Sequence, residues 1–139
     1  MKNSPMESYF FLTIGYWNLI GSIALYFMLN PAIADKVLRQ WTETITQPYD
    51  NGQYGSIWLI WAATTNVFFG VINLFAVHWE TATKVIIIGC DGFVYGIFLL
   101  AMIVTRKNAF YGRGMDVTSV LSIVWIIWAG HLLFTLLSQ

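Results

Sequence analysis

The sequence predicts an all-α integral membrane protein, a four-helix up-down bundle with a short amphipathic interfacial helix between spans 1 and 2. Hydrophobic residues make up 58% of the chain and charged residues only 10%, whereas about a quarter of the residues in soluble domains are charged. Apolar runs of roughly 20 residues, long enough for a helix to cross a bilayer, recur along the chain. They leave little sequence for a soluble domain, so we expect a single membrane domain over residues 1–139. The expected spans are residues 9–29, 57–77, 84–104 and 117–137.

The segment between the first two spans predicts an amphipathic helix over residues 31–46. Asn30 and Pro31 are typical of a helix cap and the first helical position. Apolar residues then recur at every fourth position among charged ones, as in helices that lie flat on a membrane. A helical loop packed on the ends of the spans would show the same pattern, so both interpretations stay open. The apolar residues are Ile33, Val37, Trp41 and Ile45.

The connections between spans predict their relative direction and their orientation. The connection "HWETAT" is short, which predicts an antiparallel hairpin of the second and third spans. Cytoplasmic connections carry an excess of Lys and Arg. Five such residues lie on the face of the first and third connections and two lie opposite, which favours non-cytoplasmic termini. The five are Lys36, Arg39, Arg106, Lys107 and Arg113, and the two are Lys2 and Lys84.

Each expected span carries one stripe of small and polar residues at helical spacing. Lipid cannot satisfy polar side chains, so we expect the stripes to turn towards the other helices. The stripes are Gly15, Asn18 and Ser22; Ala62, Asn66, Gly70 and Asn73; Asp91 and Tyr95; and Trp128, His131 and Thr135.

Asp91 and His131 are the candidate catalytic residues. Asp91 lies seven residues after Lys84 and His131 eight before Gln139, so both are expected roughly 10–12 Å from the same membrane face. A buried carboxylate without a partner costs several kcal/mol, and an imidazole at the same depth is a suitable partner. The two side chains are therefore predicted to bind a ligand together or to act as a general acid/base pair.

Five further residues are candidate ligand-binding residues. Asn18, Asn66 and Asn73 would orient polar groups, and Tyr95 and Trp128 would form apolar walls. The structural alternative is that the asparagines bond helices together and the aromatic residues fill the core. For the asparagines we favour that alternative. For Asp91 we favour a functional role, because an asparagine would join helices without the cost of a charge.

Other chemistry has little support in the sequence. The zero net charge gives no support for a nucleic-acid partner, so none is predicted, and the single cysteine, Cys90, cannot form an internal disulfide. No nucleotide-binding or hydrolase motif occurs, and the cofactor is unknown. A metal site would have to join His78 and Glu80 at the surface to Asp91 and His131 about two helical turns deeper, so none is predicted. Gly92 and Gly96 form a GxxxG pair that permits close helix packing, most simply within the chain.

Three functions fit these features. The first is a membrane protein that binds a small lipophilic molecule at the Asp91 cluster and performs acid/base chemistry on it. The second is an accessory or scaffolding subunit of a larger membrane complex. The third is an oligomeric channel or a proton or cation carrier, which the apolar half of the spans around Ile103, Val124 and Trp125 disfavours. The expected partners are therefore the lipid bilayer, a lipophilic molecule, and other membrane subunits or further copies of the chain. We favour the first function, because joining helices does not require a carboxylate at that depth.

Overall fold

A computed structural model of the chain describes residues 5–41, 52–105 and 113–138, and within these ranges the chain is helical with no strand. The all-α class is therefore confirmed for the described residues. The helices are α1 (Pro5–Phe27), α2 (Pro31–Trp41), α3 (Gly52–Ala76), α4 (Thr81–Thr105) and α5 (Arg113–Leu137).

Three helices are long and apolar enough to cross a membrane. They contain the segments Pro5–Phe27, Thr81–Val104 and Thr118–Leu137, whereas the apolar segment described in α3, Ile60–Ala76, is shorter. The chain thus has the length and composition of a membrane-embedded protein, as the sequence predicts. Most of the large apolar side chains on the outer faces of these helices are exposed in the isolated chain, as expected if lipid covers them.

Helix α2 begins as its sequence predicts. The Asn30 Oδ1 atom accepts a hydrogen bond of 3.0 Å from the backbone N–H of Ala32, which caps the helix beside Pro31. Ala34 is fully buried, and α2 contacts α5. Residues 42–46 of the expected amphipathic segment lie outside the described residues.

Helices α1 and α3 form one closely packed antiparallel pair. Gly15 meets Gly70, and further along the pair Ser22 Oγ donates a 2.9 Å hydrogen bond to the backbone oxygen of Ala63. A Cβ atom added at Gly15 would lie 3.1 Å from the Gly70 oxygen, so glycine is needed for this separation. This contact joins helices that are separated along the chain by α2.

Helices α4 and α5 form the second antiparallel pair. A Cβ atom added at Gly92 would lie 3.3 Å from Ala129 Cβ, whereas one at Gly96 would have no described atom within 4 Å. Of the predicted GxxxG pair, only Gly92 therefore lies at a close helix contact. Helices α3 and α4 are joined by the expected short connection, yet they contact each other much less than the helices within each pair do.

The apolar core lies at the end of the helices nearest the chain termini. It combines the N-terminal halves of α1 and α4 with the end of α3 and the C-terminal half of α5. Its buried members are Phe10, Phe11, Ile14, Ala76, Ile88, Trp125, Ala129, Leu132 and Leu136.

A buried ion pair closes this end of the structure. Lys84 Nζ lies 3.5 Å from Glu7 Oε2, and both residues are buried. The contact ties the first turn of α1 to the first turn of α4. Because 77 residues separate the partners along the chain, their pairing could not be read from local sequence patterns.

Candidate ligand-binding cavity

A cavity of about 220 Å³ lies between the two helix pairs. It is larger than an engineered cavity of roughly 150 Å³ that accommodates benzene. Side chains from α1, α3, α4 and α5 line it, so the cavity depends on how the two pairs are placed. The lining residues are Trp17, Asn18, Thr65, Asn66, Phe69, Asp91, Val94, Tyr95, Phe98 and Thr118.

The cavity follows the crevice between α3 and α4. These helices contact each other sparsely, and together they supply most of the lining. Trp17, Val94 and Phe98 also remain 39%, 40% and 42% exposed, so the rim of the cavity reaches the outer, apolar surface of the helices. A molecule dissolved in the hydrocarbon layer would meet this rim directly.

Asp91 is the acidic residue among the described residues that line the cavity, and one of its carboxyl oxygens has no partner in the described part of the chain. Asp91 is 2% exposed, and Asn73 Nδ2 donates a 3.2 Å hydrogen bond to Asp91 Oδ1. Asn73 Nδ2 also donates to the backbone oxygen of Phe69 at 3.1 Å. Among the described residues, neither Asp91 Oδ2 nor Asn73 Oδ1 has a hydrogen-bond partner, although both atoms are buried. Such acceptors are costly to bury unless another molecule donates to them.

Asn18 and Tyr95 form the second polar contact of the cavity. Asn18 Nδ2 donates to the Tyr95 hydroxyl at 3.1 Å and to the backbone oxygen of Ile14 at 2.9 Å. The Tyr95 O–H hydrogen and Asn18 Oδ1 are not used in these two bonds. The ring centroids of Tyr95 and Trp125 lie 4.6 Å apart, and Trp125 also packs against the ring of Trp17. These aromatic contacts position the Tyr95 hydroxyl.

The structure brings together most of the residues that the sequence selects. Asn18, Asn66, Asp91 and Tyr95 line the cavity. Asn73 is fully buried and does not line the cavity itself, but it donates a hydrogen bond to Asp91, which does. These side chains come from α1, α3 and α4, whose predicted polar stripes turn inward except at the exposed Ala62.

The predicted inward position of the α5 stripe is wrong at His131 and Thr135, which are exposed. His131 is exposed, and it does not line the cavity or pair with Asp91. The buried face of α5 carries Ser122, Trp125, Ala129, Leu132 and Leu136, and His131 lies one residue, about 100° around the helix, from Leu132.

Trp128, predicted to line a pocket with Tyr95, also lies elsewhere. It is half-buried, and its ring packs edge-on against the ring of Phe10, with 5.4 Å between the ring centroids. The predicted stripe of α5 fails partly because Thr135 needs no partner on another helix. Its hydroxyl donates to the His131 backbone oxygen at 2.9 Å.

Six lining residues were not selected from the sequence. Those on α4 follow Asp91 by three and seven residues and thus share its helical face, which was the available signal. Those on α1 and α3 lie beside Asn18 and Asn66 in sequence or one helical turn away. Thr118 has no such signal, because the predicted stripe of α5 lies on another face. The six are Trp17, Thr65, Phe69, Val94, Phe98 and Thr118.

The described residues contain no group of three His, Cys, Asp or Glu side chains placed to hold a metal ion. His78 and Glu80, considered from the sequence, are exposed in the connection between α3 and α4. The cavity therefore offers hydrogen-bonding groups and aromatic surface to a ligand. Its electrostatic character is set by one carboxyl group, Asp91.

A search of known protein families, of curated proteins and of solved structures finds no match for this chain. Its function has to be inferred from the cavity itself.

Proposed function

We propose that this chain is a multi-pass membrane protein that binds a small lipophilic molecule in the cavity between its two helix pairs. The observation that carries the proposal is the position of Asp91. Asp91 is nearly fully buried and lines a cavity, and one of its carboxyl oxygens has no hydrogen-bond partner among the described residues. Ligand sites typically combine apolar walls with a few placed polar groups. Here Trp17, Phe69 and Phe98 supply the walls, and Asp91 and Tyr95 supply the polar groups.

Binding is better supported than acid/base catalysis. The predicted catalytic pair required His131 beside Asp91, and His131 lies on an exposed face of α5. Asp91 could also serve only to join α3 and α4. This role is less well supported than ligand binding, because Asn73 bonds to only one of the two carboxyl oxygens. An asparagine at position 91 would accept the same hydrogen bond without burying a charge.

The proposed arrangement in the membrane has four crossings. Helices α1, α3, α4 and α5 each cross the cell membrane, forming a four-helix bundle whose termini lie on the non-cytoplasmic side. The antiparallel packing of α1 with α3 and of α4 with α5 supports four crossings. Accessibility of tags at each end to a membrane-impermeant reagent in intact cells tests the orientation. Labelling of both tags supports it, and labelling of neither or of one contradicts it.

The binding proposal is tested by identifying what the protein retains. The wild-type chain is extracted in mild detergent, and retained small molecules are identified by mass spectrometry. Val94→Trp places a larger side chain at a residue that lines the cavity. Val104→Trp makes the same change on an outward face of α4, where Val104 is 71% exposed, and serves as the matched control.

The expected result is a small lipophilic compound that the wild type and the Val104→Trp variant retain and the Val94→Trp variant loses. Identical retained molecules in all three, with all three proteins folded, would contradict binding in this cavity. A protein partner recovered with each variant, and no compound, would favour the accessory-subunit function instead.

A further inference from the structure

The free acceptor oxygen of Asp91 indicates what the ligand must carry. Asp91 Oδ1 is occupied by the amide of Asn73, whereas Asp91 Oδ2 is buried and has no donor among the described residues. The adjoining Asn73 Oδ1 also has no partner among the described residues, but Asn73 does not line the cavity. A ligand group that donates to the Asp91 carboxylate would remove the cost of burying its unpaired oxygen.

The charged residues around the cavity favour a positively charged donor on the ligand over a neutral one. None of the described residues that line the cavity is a Lys, Arg or His. The nearest basic residue along α4, Lys84, lies 3.5 Å from the carboxylate of Glu7, and Ile88 lies between it and Asp91 on the same helical face. No described residue that lines the cavity supplies a positive charge beside Asp91, and a cationic ligand would supply one.

The walls of the cavity suit a cation as well as an apolar group. Trp17, Phe69, Tyr95 and Phe98 place four aromatic rings around the space next to Asp91. Aromatic faces attract cations, most strongly where water is excluded, and their area also packs against hydrocarbon. An ammonium group attached to a compact apolar body matches both features.

We infer that the cavity binds a lipophilic primary amine whose ammonium group donates a hydrogen bond to the Asp91 carboxylate while its apolar part packs against the aromatic walls. This inference rests on the proposed binding function and specifies its ligand class. The same chemistry is available from a free amine or from the headgroup of an aminolipid.

Three probes of equal heavy-atom count separate the contributions of charge and hydrogen bonding. 2-Phenylethylamine carries an ammonium group, 2-phenylethanol a neutral hydroxyl, and propylbenzene a methyl group at the same position. Binding is measured by equilibrium dialysis against protein in phosphatidylcholine nanodiscs, and empty nanodiscs correct for partition into lipid. Phosphatidylcholine offers no N–H donor, so the host lipid cannot supply the same contact.

Two substitutions locate the contact. Asp91→Asn keeps the acceptor for Asn73 but replaces the carboxylate, and Asp35→Asn makes the same change on α2, away from the cavity lining. We expect the wild type and the Asp35→Asn variant to bind the amine more tightly than the alcohol and the alkane. Asp91→Asn should weaken amine binding by about tenfold to a hundredfold, the value of a hydrogen bond to a charged group, and leave propylbenzene binding nearly unchanged.

Equal binding of the three probes, or stronger binding of the alcohol than of the amine, would overturn the inference while leaving the binding function in place. Binding of none of them, in a protein that elutes as a folded species, would count against both. A second set of nanodiscs containing phosphatidylethanolamine distinguishes the two sources. Competition with the amine probe identifies an aminolipid, and its absence identifies a free amine.

Discussion

Replacing Gly15 by alanine should disturb the contact between α1 and α3. The added Cβ atom would lie 2.7 Å from Leu74 Cδ2 and 3.1 Å from the Gly70 oxygen. The Leu74 side chain can rotate, but the Gly70 oxygen belongs to the helix backbone, so the helices must move apart by a few tenths of an ångström. Overpacking of this kind costs about 1–3 kcal/mol, whereas glycine to alanine in a helix gains about 1 kcal/mol. The expected net loss of stability is thus about 0–2 kcal/mol.

Gly96→Ala is the matched control. A Cβ atom at Gly96 would contact no atom of the described residues within 4 Å, so this variant should show only the helix-propensity gain of about 1 kcal/mol. The free energy of unfolding is measured by titration with sodium dodecyl sulfate in mixed micelles. We expect Gly15→Ala to be less stable than Gly96→Ala by about 1–3 kcal/mol, and Leu74→Ala should relieve part of the crowding in the Gly15→Ala background. Equal stability of the two glycine variants would refute the close approach of α1 and α3.

Three further substitutions test other contacts by the same unfolding titration. His131→Ala should not destabilise the protein and should leave ligand retention unchanged, because the side chain is exposed; loss of the retained compound would show that His131 belongs to the site. Lys84→Met should destabilise the protein by about 3–5 kcal/mol by leaving Glu7 without its counter-ion, and adding Glu7→Leu should recover most of this loss; no loss in the single variant would contradict a buried pair. Asn73→Leu should cost about 1–3 kcal/mol by removing the donor to Asp91, and a cost that persists when Asp91 is also changed to leucine would place the effect elsewhere.

The sequence predicts most of the cavity because its polar side chains cannot satisfy themselves locally. The carboxylate of Asp91 and the second amide hydrogens of Asn18 and Asn73 need partners outside their own helical turns. A helical stripe of such residues therefore identifies the face that turns away from lipid. The inward faces of α1, α3 and α4 are predicted in this way, except at Ala62 of α3, which is exposed.

The same reasoning failed for α5 because its polar residues carry less directional information. Thr135 and Ser122 both satisfy their hydroxyl groups on backbone oxygens of their own helix, at 2.9 Å in each case. Thr135 can therefore face outward, and Ser122 can be buried without a partner on another helix. The apolar face of α5 around Trp125 and Ala129 is instead selected by its fit against α1 and α4.

The pairing of helices also lay beyond sequence patterns. The short connection predicted α3 and α4 as neighbours, but α3 packs mainly against α1. The packing of α3 against α1 depends on a contact between Gly15 on one helix and Gly70 on the other. The GxxxG pattern in the sequence instead selects Gly92 and Gly96, which both lie on α4. The resulting sparse contact between α3 and α4 is what leaves room for the cavity.

The most direct test is the comparison of small molecules retained by the wild type, Val94→Trp and Val104→Trp. If the cavity beside Asp91 is a binding site, the wild type and the Val104→Trp variant will retain the same lipophilic compound, and the variant with the filled cavity will not. Retention of that compound by folded Val94→Trp at the wild-type level would show that the cavity does not bind it.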